Sequence, residues 1–91
     1  MIGCEMPRIS QFHGVSIYMY YNDHLPPHFH AMHGGDEALV EFSPAKLYQG
    51  GLPPKVLKMV LAWAGLHGAE LDHDWVLARQ GQPVVPIPPL P

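Results

Sequence analysis

Apolar and polar positions alternate along residues 8–12 (RISQF) and 15–21 (VSIYMYY), both rich in β-branched and aromatic side chains. His13-Gly14 lies between them and suits a tight hairpin. Residues 28–33 (HFHAMH) and 36–42 (DEALVEF) flank Gly34-Gly35, a pair that accepts positive φ at little steric cost, and predict a second hairpin. In the intervening YNDHLPP, Asn22-Asp23 suits a turn, and Pro26-Pro27 removes two backbone donors and imposes an extended entry into the third strand. A short additional strand around Lys46-Leu47-Tyr48 is compatible with the pattern.

From Pro53-Pro54 onward the period changes. Leu57, Val60, Leu61, Ala64, Leu71, Trp75 and Ala78 recur at helical spacing, so one apolar stripe faces the sheet. Gly65 and Gly68 interrupt that stripe, each costing about 1 kcal/mol against Ala in a helix interior, and predict a kink or a break into two short helices. Gly81 suits a C-terminal cap, and the prolines at 83, 86, 88, 89 and 91 predict an extended, polyproline-like tail. The expected architecture is α+β: a small, mostly antiparallel sheet of about four strands with a C-terminal helical layer on one face.

A two-residue loop at Gly34-Gly35 sets His28 opposite Glu41, Phe29 opposite Val40, and His30 opposite Leu39. Phe29, Ala31, Ala38, Val40 and Phe42 then share one face with Val15, Ile17 and Met19, and the helices should cover it. The other face carries Tyr18, Tyr20, His28, His30, Met32, Glu37, Leu39 and Glu41, too aromatic and histidine-rich for plain solvated surface. His28 and His30 project from it together, roughly 6.5–7 Å apart along the strand.

That pairing admits two chemistries. With His24 it forms an H-x3-H-x-H set of three nitrogen ligands for a divalent metal such as zinc, and Asp23 or Glu41 could add an oxygen. Alternatively His28 and His30 act as acid and base, with Glu41 accepting the His28 ring N–H and orienting it. A third use needs no reaction: Tyr18, Tyr20, Asp23, His24, Phe29 and Met32 are residue types and positions suited to a binding surface.

Composition narrows these readings. The 91 residues hold five basic and eight acidic side chains, a net charge of -3, so a nucleic-acid backbone is an unsuitable ligand unless a partner supplies charge. One cysteine, Cys4, excludes an internal disulfide framework and fits a reducing compartment, here the cytoplasm. No stretch is long and apolar enough to span a bilayer, and the residue patterns for a Ser or Cys nucleophile, a phosphate loop or H-E-x-x-H do not occur.

The run MPRISQFHGVSIYMYYNDHLPPHFHAMHGG from Met6, with LPPKVLKMVLAWAGLH and WVLARQGQPV, resembles the small bacterial proteins grouped as domain of unknown function 4160. YNDH (Tyr21 to His24) and PPHFHA (Pro26 to Ala31) are its specific part, and W-x-x-A-R-x-G-x-P (Trp75 to Pro83) supports it. The resemblance implies an N-terminal extension over residues 1–5, a single domain over 6–82 and a proline-rich tail over 83–91. It also implies one half of a two-protein arrangement, in the manner of a toxin–antitoxin pair, and carries no activity with it. The leading expectation is therefore a cytoplasmic interaction module, either a homodimer or the partner of a small co-encoded protein, working through the Tyr/His/Glu face. The alternative is a small His-dependent hydrolase or nuclease, metal-assisted or not, using His24, His28, His30 and Glu41.

Overall fold

The computed structural model describes residues 7–21 and 23–91, so the expected extension over 1–5, with Cys4, lies outside the described residues. Five strands form one antiparallel sheet in chain order: β1 (Arg8–Phe12), β2 (Val15–Tyr18), β3 (His28–His33), β4 (Asp36–Phe42) and β5 (Ala45–Gly50). The β3–β4 register is that expected from the Gly34-Gly35 loop, with His28 opposite Glu41 and His33 opposite Asp36. Gly34 takes φ 59°, which this turn requires and most side chains resist.

The expectation of about four strands falls short because β5 is a full six-residue strand. Its pairing with β4 shifts register beside Leu39 and Val40, and five of its residues are exposed, so hydrophobic alternation hardly marks it. β5 ends at Gly50, where φ is 79° and a Cβ would collide with the Glu37 carbonyl. Gly51 N–H donates to that same carbonyl at 3.0 Å, holding the chain close to β4.

The apolar stripe divides into α1 (Pro54–Leu66) and α2 (Gly68–Arg79). The break falls at His67, whose N–H donates to the Trp63 and Ala64 carbonyls and whose own carbonyl accepts from Leu71 N–H. His67 thus closes one helix and opens the next, the two-helix outcome of the Gly65/Gly68 interruption. Trp63 anchors the core fully buried, 5.6 Å from the Phe29 ring edge-on and 5.3 Å from Phe12. Truncating such a side chain to Ala costs about 3–5 kcal/mol.

The tail is extended, as its prolines dictate, and it turns back over the domain as a strap. Trp63 Nε1 donates to the Pro88 carbonyl at 2.9 Å, Ile87 N–H donates to the Ile9 carbonyl at 2.7 Å, and Val85 N–H donates to Asp74 Oδ1 at 2.8 Å. Ile87 is buried in the core as a result. Among the described residues no helix is long and apolar enough to cross a membrane.

Candidate metal centre

Strand geometry places His28 and His30 on one face of β3, and the chain leading into that strand folds back over them. The return brings Asp23 against both rings: its Oδ2 lies 3.1 Å from His28 Nε2 and 3.0 Å from His30 Nε2. One ligand atom from each of Asp23, His28 and His30 can be chosen with all three within 4.8 Å of one another. Side-chain exposure is 0% for His28, 10% for His30 and 13% for Asp23, so the group sits at the floor of the surface rather than on it.

Each imidazole is also held from its far side. His28 Nδ1 lies 2.7 Å from the Pro26 carbonyl, and His30 Nδ1 lies 2.9 Å from Glu37 Oε2. Both of those atoms are acceptors, so each Nδ1 carries the proton and donates it. In a neutral ring Nε2 is then a bare lone pair. Two such lone pairs meeting one carboxylate oxygen is unfavourable unless the rings are protonated, each Nε2 then donating to Oδ2, or a cation lies among them. His28 Nε2 shows the mismatch directly, being buried without a well-formed hydrogen bond. The two separations from Asp23 Oδ2, 3.0 and 3.1 Å, are short enough for ligands that share an ion at about 2.1 Å.

Burial alone would raise the Asp23 carboxyl above its ordinary value. The hydrogen bond with His30, the His24 N–H and the charges on His28 and His30 outweigh that and hold it below. Aromatic rings close the surroundings: Tyr20 stacks on His30 with centroids 4.1 Å apart, while Tyr48 of β5 and Trp75 of α2 lie 5.8 and 5.7 Å from His28. The core on one side, and Asp23 with the Tyr48 and Trp75 rings on the other, leave the first four residues of β3 buried. Elsewhere on this face Tyr18, Tyr20, Met32, Leu39 and Glu41 remain half-buried.

The residues expected from sequence are distributed unevenly around this point. Asp23, His28 and His30 converge, whereas His24 does not join them. Its ring stacks on His28 with centroids 5.0 Å apart, its Nδ1 turns to the Leu25 carbonyl, and its Nε2 stands 3.7 Å from Asp23 Oδ1. Asp23 takes the third ligand position that spacing had assigned to His24, because the turn points the carboxylate inward and leaves His24 in solvent. Glu41 stands opposite His28 in register, yet the His28 nitrogens go to Pro26 and Asp23, so the orienting group is a backbone carbonyl.

Tyr18 pairs with His30 across the β2–β3 ladder and Met32 with Ser16, both half-buried. Phe29 points the other way into the core beside Trp63. The strongest omission is Glu37, the partner of His30. It is opposite Met32 and thus diagonal to His30 on the same face, a neighbour relation that the register already contained.

The profile of the family described as Domain of unknown function (DUF4160) matches residues 14–76. The chain belongs to this family. The DUF4160 match includes Asp23, His28, His30 and Glu37 and extends to Trp75, so the whole cluster and its aromatic surround lie inside the family's domain. No curated protein and no solved structure matches the chain.

Proposed function

We propose that Asp23, His28 and His30 hold one divalent cation and that the protein is a small metal-centred hydrolase. The observation that carries this is the shared oxygen: both Nε2 atoms face Asp23 Oδ2 while both Nδ1 atoms are committed to other acceptors. Two nitrogens and one carboxylate suit zinc or another first-row ion, and three protein ligands leave a coordination position for water. An ion held by these three residues would lower the pKa of a bound water toward neutrality and would polarise a carbonyl or phosphoryl oxygen. Glu37 and the Pro26 carbonyl fix the ring orientations, and His24 and Tyr48, both exposed, border the cluster on its open side. A net charge of -3 favours a small hydrolase substrate over a nucleic-acid strand.

Native mass spectrometry of untagged protein, before and after chelation, tests this reading. About one divalent ion per chain is expected, lost on chelation and missing from His28→Ala. Metal-free protein that fails to take up zinc at micromolar concentration would overturn it.

A second reading, an interaction module, draws on a different feature. β5 is an edge strand with Leu47 and Tyr48 exposed at 39% and 40%, a template on which a second chain could extend the sheet. Either expected partner, a second copy of this chain or the small co-encoded protein that the resemblance implies, could pair with this edge instead of the Tyr/His/Glu face. The same spectra distinguish them by mass, and a monomer at high concentration that captures no partner would remove this reading.

A further inference from the structure

A cavity of about 210 Å³ lies between α2 and the C-terminal strap, separate in its lining residues from the metal cluster. Ala69, Glu70, His73 and Asp74 form the helical wall, and Val85, Pro86 and Ile87 form the strap wall. In this lining Glu70 and Asp74 are acidic, His73 is the single group able to carry positive charge, and neither Lys nor Arg contributes.

Asp74 is the informative residue. It is 1% exposed, and its place on α2, three residues after buried Leu71 and beside buried Trp75, is on the inward stripe where an apolar side chain is expected. Its Oδ1 accepts the Val85 N–H at 2.8 Å. Its Oδ2 is buried without a hydrogen-bond partner among the described residues. A buried carboxylate oxygen without a donor is a standing cost that a structure tolerates where a ligand supplies the donor.

We propose that this cavity binds a primary alkylammonium group, with Asp74 as its acceptor and Glu70, whose Oε1 already accepts from His67 Nδ1, as a second negative charge on its exposed side. An ammonium carries three N–H donors and a positive charge, which answers both the unpartnered Oδ2 and the acidic lining. An alkyl stem suits the apolar wall formed by Ala69, Val85, Pro86 and Ile87. Because Oδ2 is closed off from solvent, an ammonium reaches it only as the strap shifts; the strap has no helix or strand pairing of its own and is held by single hydrogen bonds at Val85, Ile87, Pro88 and Pro91. Burial raises the Asp74 carboxyl above its ordinary value, which a neighbouring cation would reverse. The ammonium could belong to a free amine or to a lysine side chain of a partner, and the chemistry of recognition is shared.

The experiment is a titration of the ¹⁵N-labelled full chain, following backbone amides, with n-butylammonium, with Nα-acetyl-lysine-N-methylamide and with 1-butanol as the uncharged isostere. Saturable shifts at Ala69, Glu70, His73, Asp74, Val85 and Ile87 with an ammonium, and at least tenfold weaker binding in Asp74→Asn, are expected. Asn retains an oxygen for the Val85 N–H, so the strap contact survives the loss of charge. Glu70→Gln, on the exposed side of the cavity, gives an independent reading with an expected several-fold loss. Binding by the lysine amide would assign the site to a peptide side chain, and binding by butylammonium alone would assign it to a small amine. Equal shifts with butanol, unchanged affinity in both variants, or no saturable shift with either ammonium would overturn the proposal.

Discussion

Asp23 and Asp74 are both withdrawn from water, yet their carboxyls are displaced in opposite directions. Asp23 is drawn below the ordinary carboxylate value although burial acts to raise it, because two imidazoles and the His24 N–H favour its ionised form. Asp74 is pushed above that value by burial, with the Glu70 charge adding to the rise, and the single Val85 N–H and the His73 charge do not compensate. Burial therefore does not determine the outcome. What separates the two is what the surrounding chain brings to the oxygens: a returning loop and a strand bring two imidazoles and the His24 N–H to Asp23, and the strap brings one N–H to Asp74.

The contrast is most directly broken at Asp23. Asp23→Ala removes the carboxylate that both Nε2 atoms face, and a loss of about 2–3 kcal/mol in urea unfolding, together with loss of bound metal, is expected. If stability in that variant changed by less than the error of the fit, the cluster would be an incidental arrangement. Glu37→Gln is a milder change, since it leaves an acceptor near His30 Nδ1 but removes its charge. Metal affinity, measured by competition with a chelating dye, should fall by about tenfold.

At Asp74 the sign reverses. Asp74→Asn keeps the Val85 bond and removes the cost of a buried charge, so unfolding at pH 7 should require about 1 kcal/mol more than in the unchanged protein. The pH dependence follows from the raised value. The native state holds this proton more tightly than the unfolded chain, so the stability Asp74 contributes is complete below its unfolded value of 3.8 and is lost as pH rises through its native value. The gap between Asp74→Asn and the unchanged protein should accordingly narrow as pH is lowered from 7 toward 4, which urea midpoints at each pH would show.

The smallest effect concerns the backbone beneath both regions. Gly65 lies in the last turns of α1 with open space where a Cβ would go, and Gly65→Ala should add about 0.5 kcal/mol while leaving metal binding untouched. Thermal unfolding resolves a change of that size in a domain this short.

Much of this was legible along the chain. A tight Gly34-Gly35 turn and a strict period of two placed His28 and His30 on one face and Phe29 on the other, and a change to helical spacing at Pro53-Pro54 marked where sheet gives way to helix. The acidic partners were less so. Glu37 lay on the right face, but only a folded ladder shows that His30 reaches diagonally to it. Asp74 carried a faint signal, a carboxylate on the inward helical stripe, that periodicity reads as noise.

Local physics is enough for turns, alternation and helix spacing, because each depends on neighbours within a few residues. From it the sequence by itself determined the hairpin register, the α+β order of elements, the pairing of the two histidines and the extended proline tail. The tertiary structure alone decided that Asp23 rather than His24 meets both rings, that Trp75 and Tyr48 approach His28, and that the strap closes a cavity over Asp74. Those outcomes depend on where loops return and how the sheet twists, quantities set by the packing of residues distant in the chain.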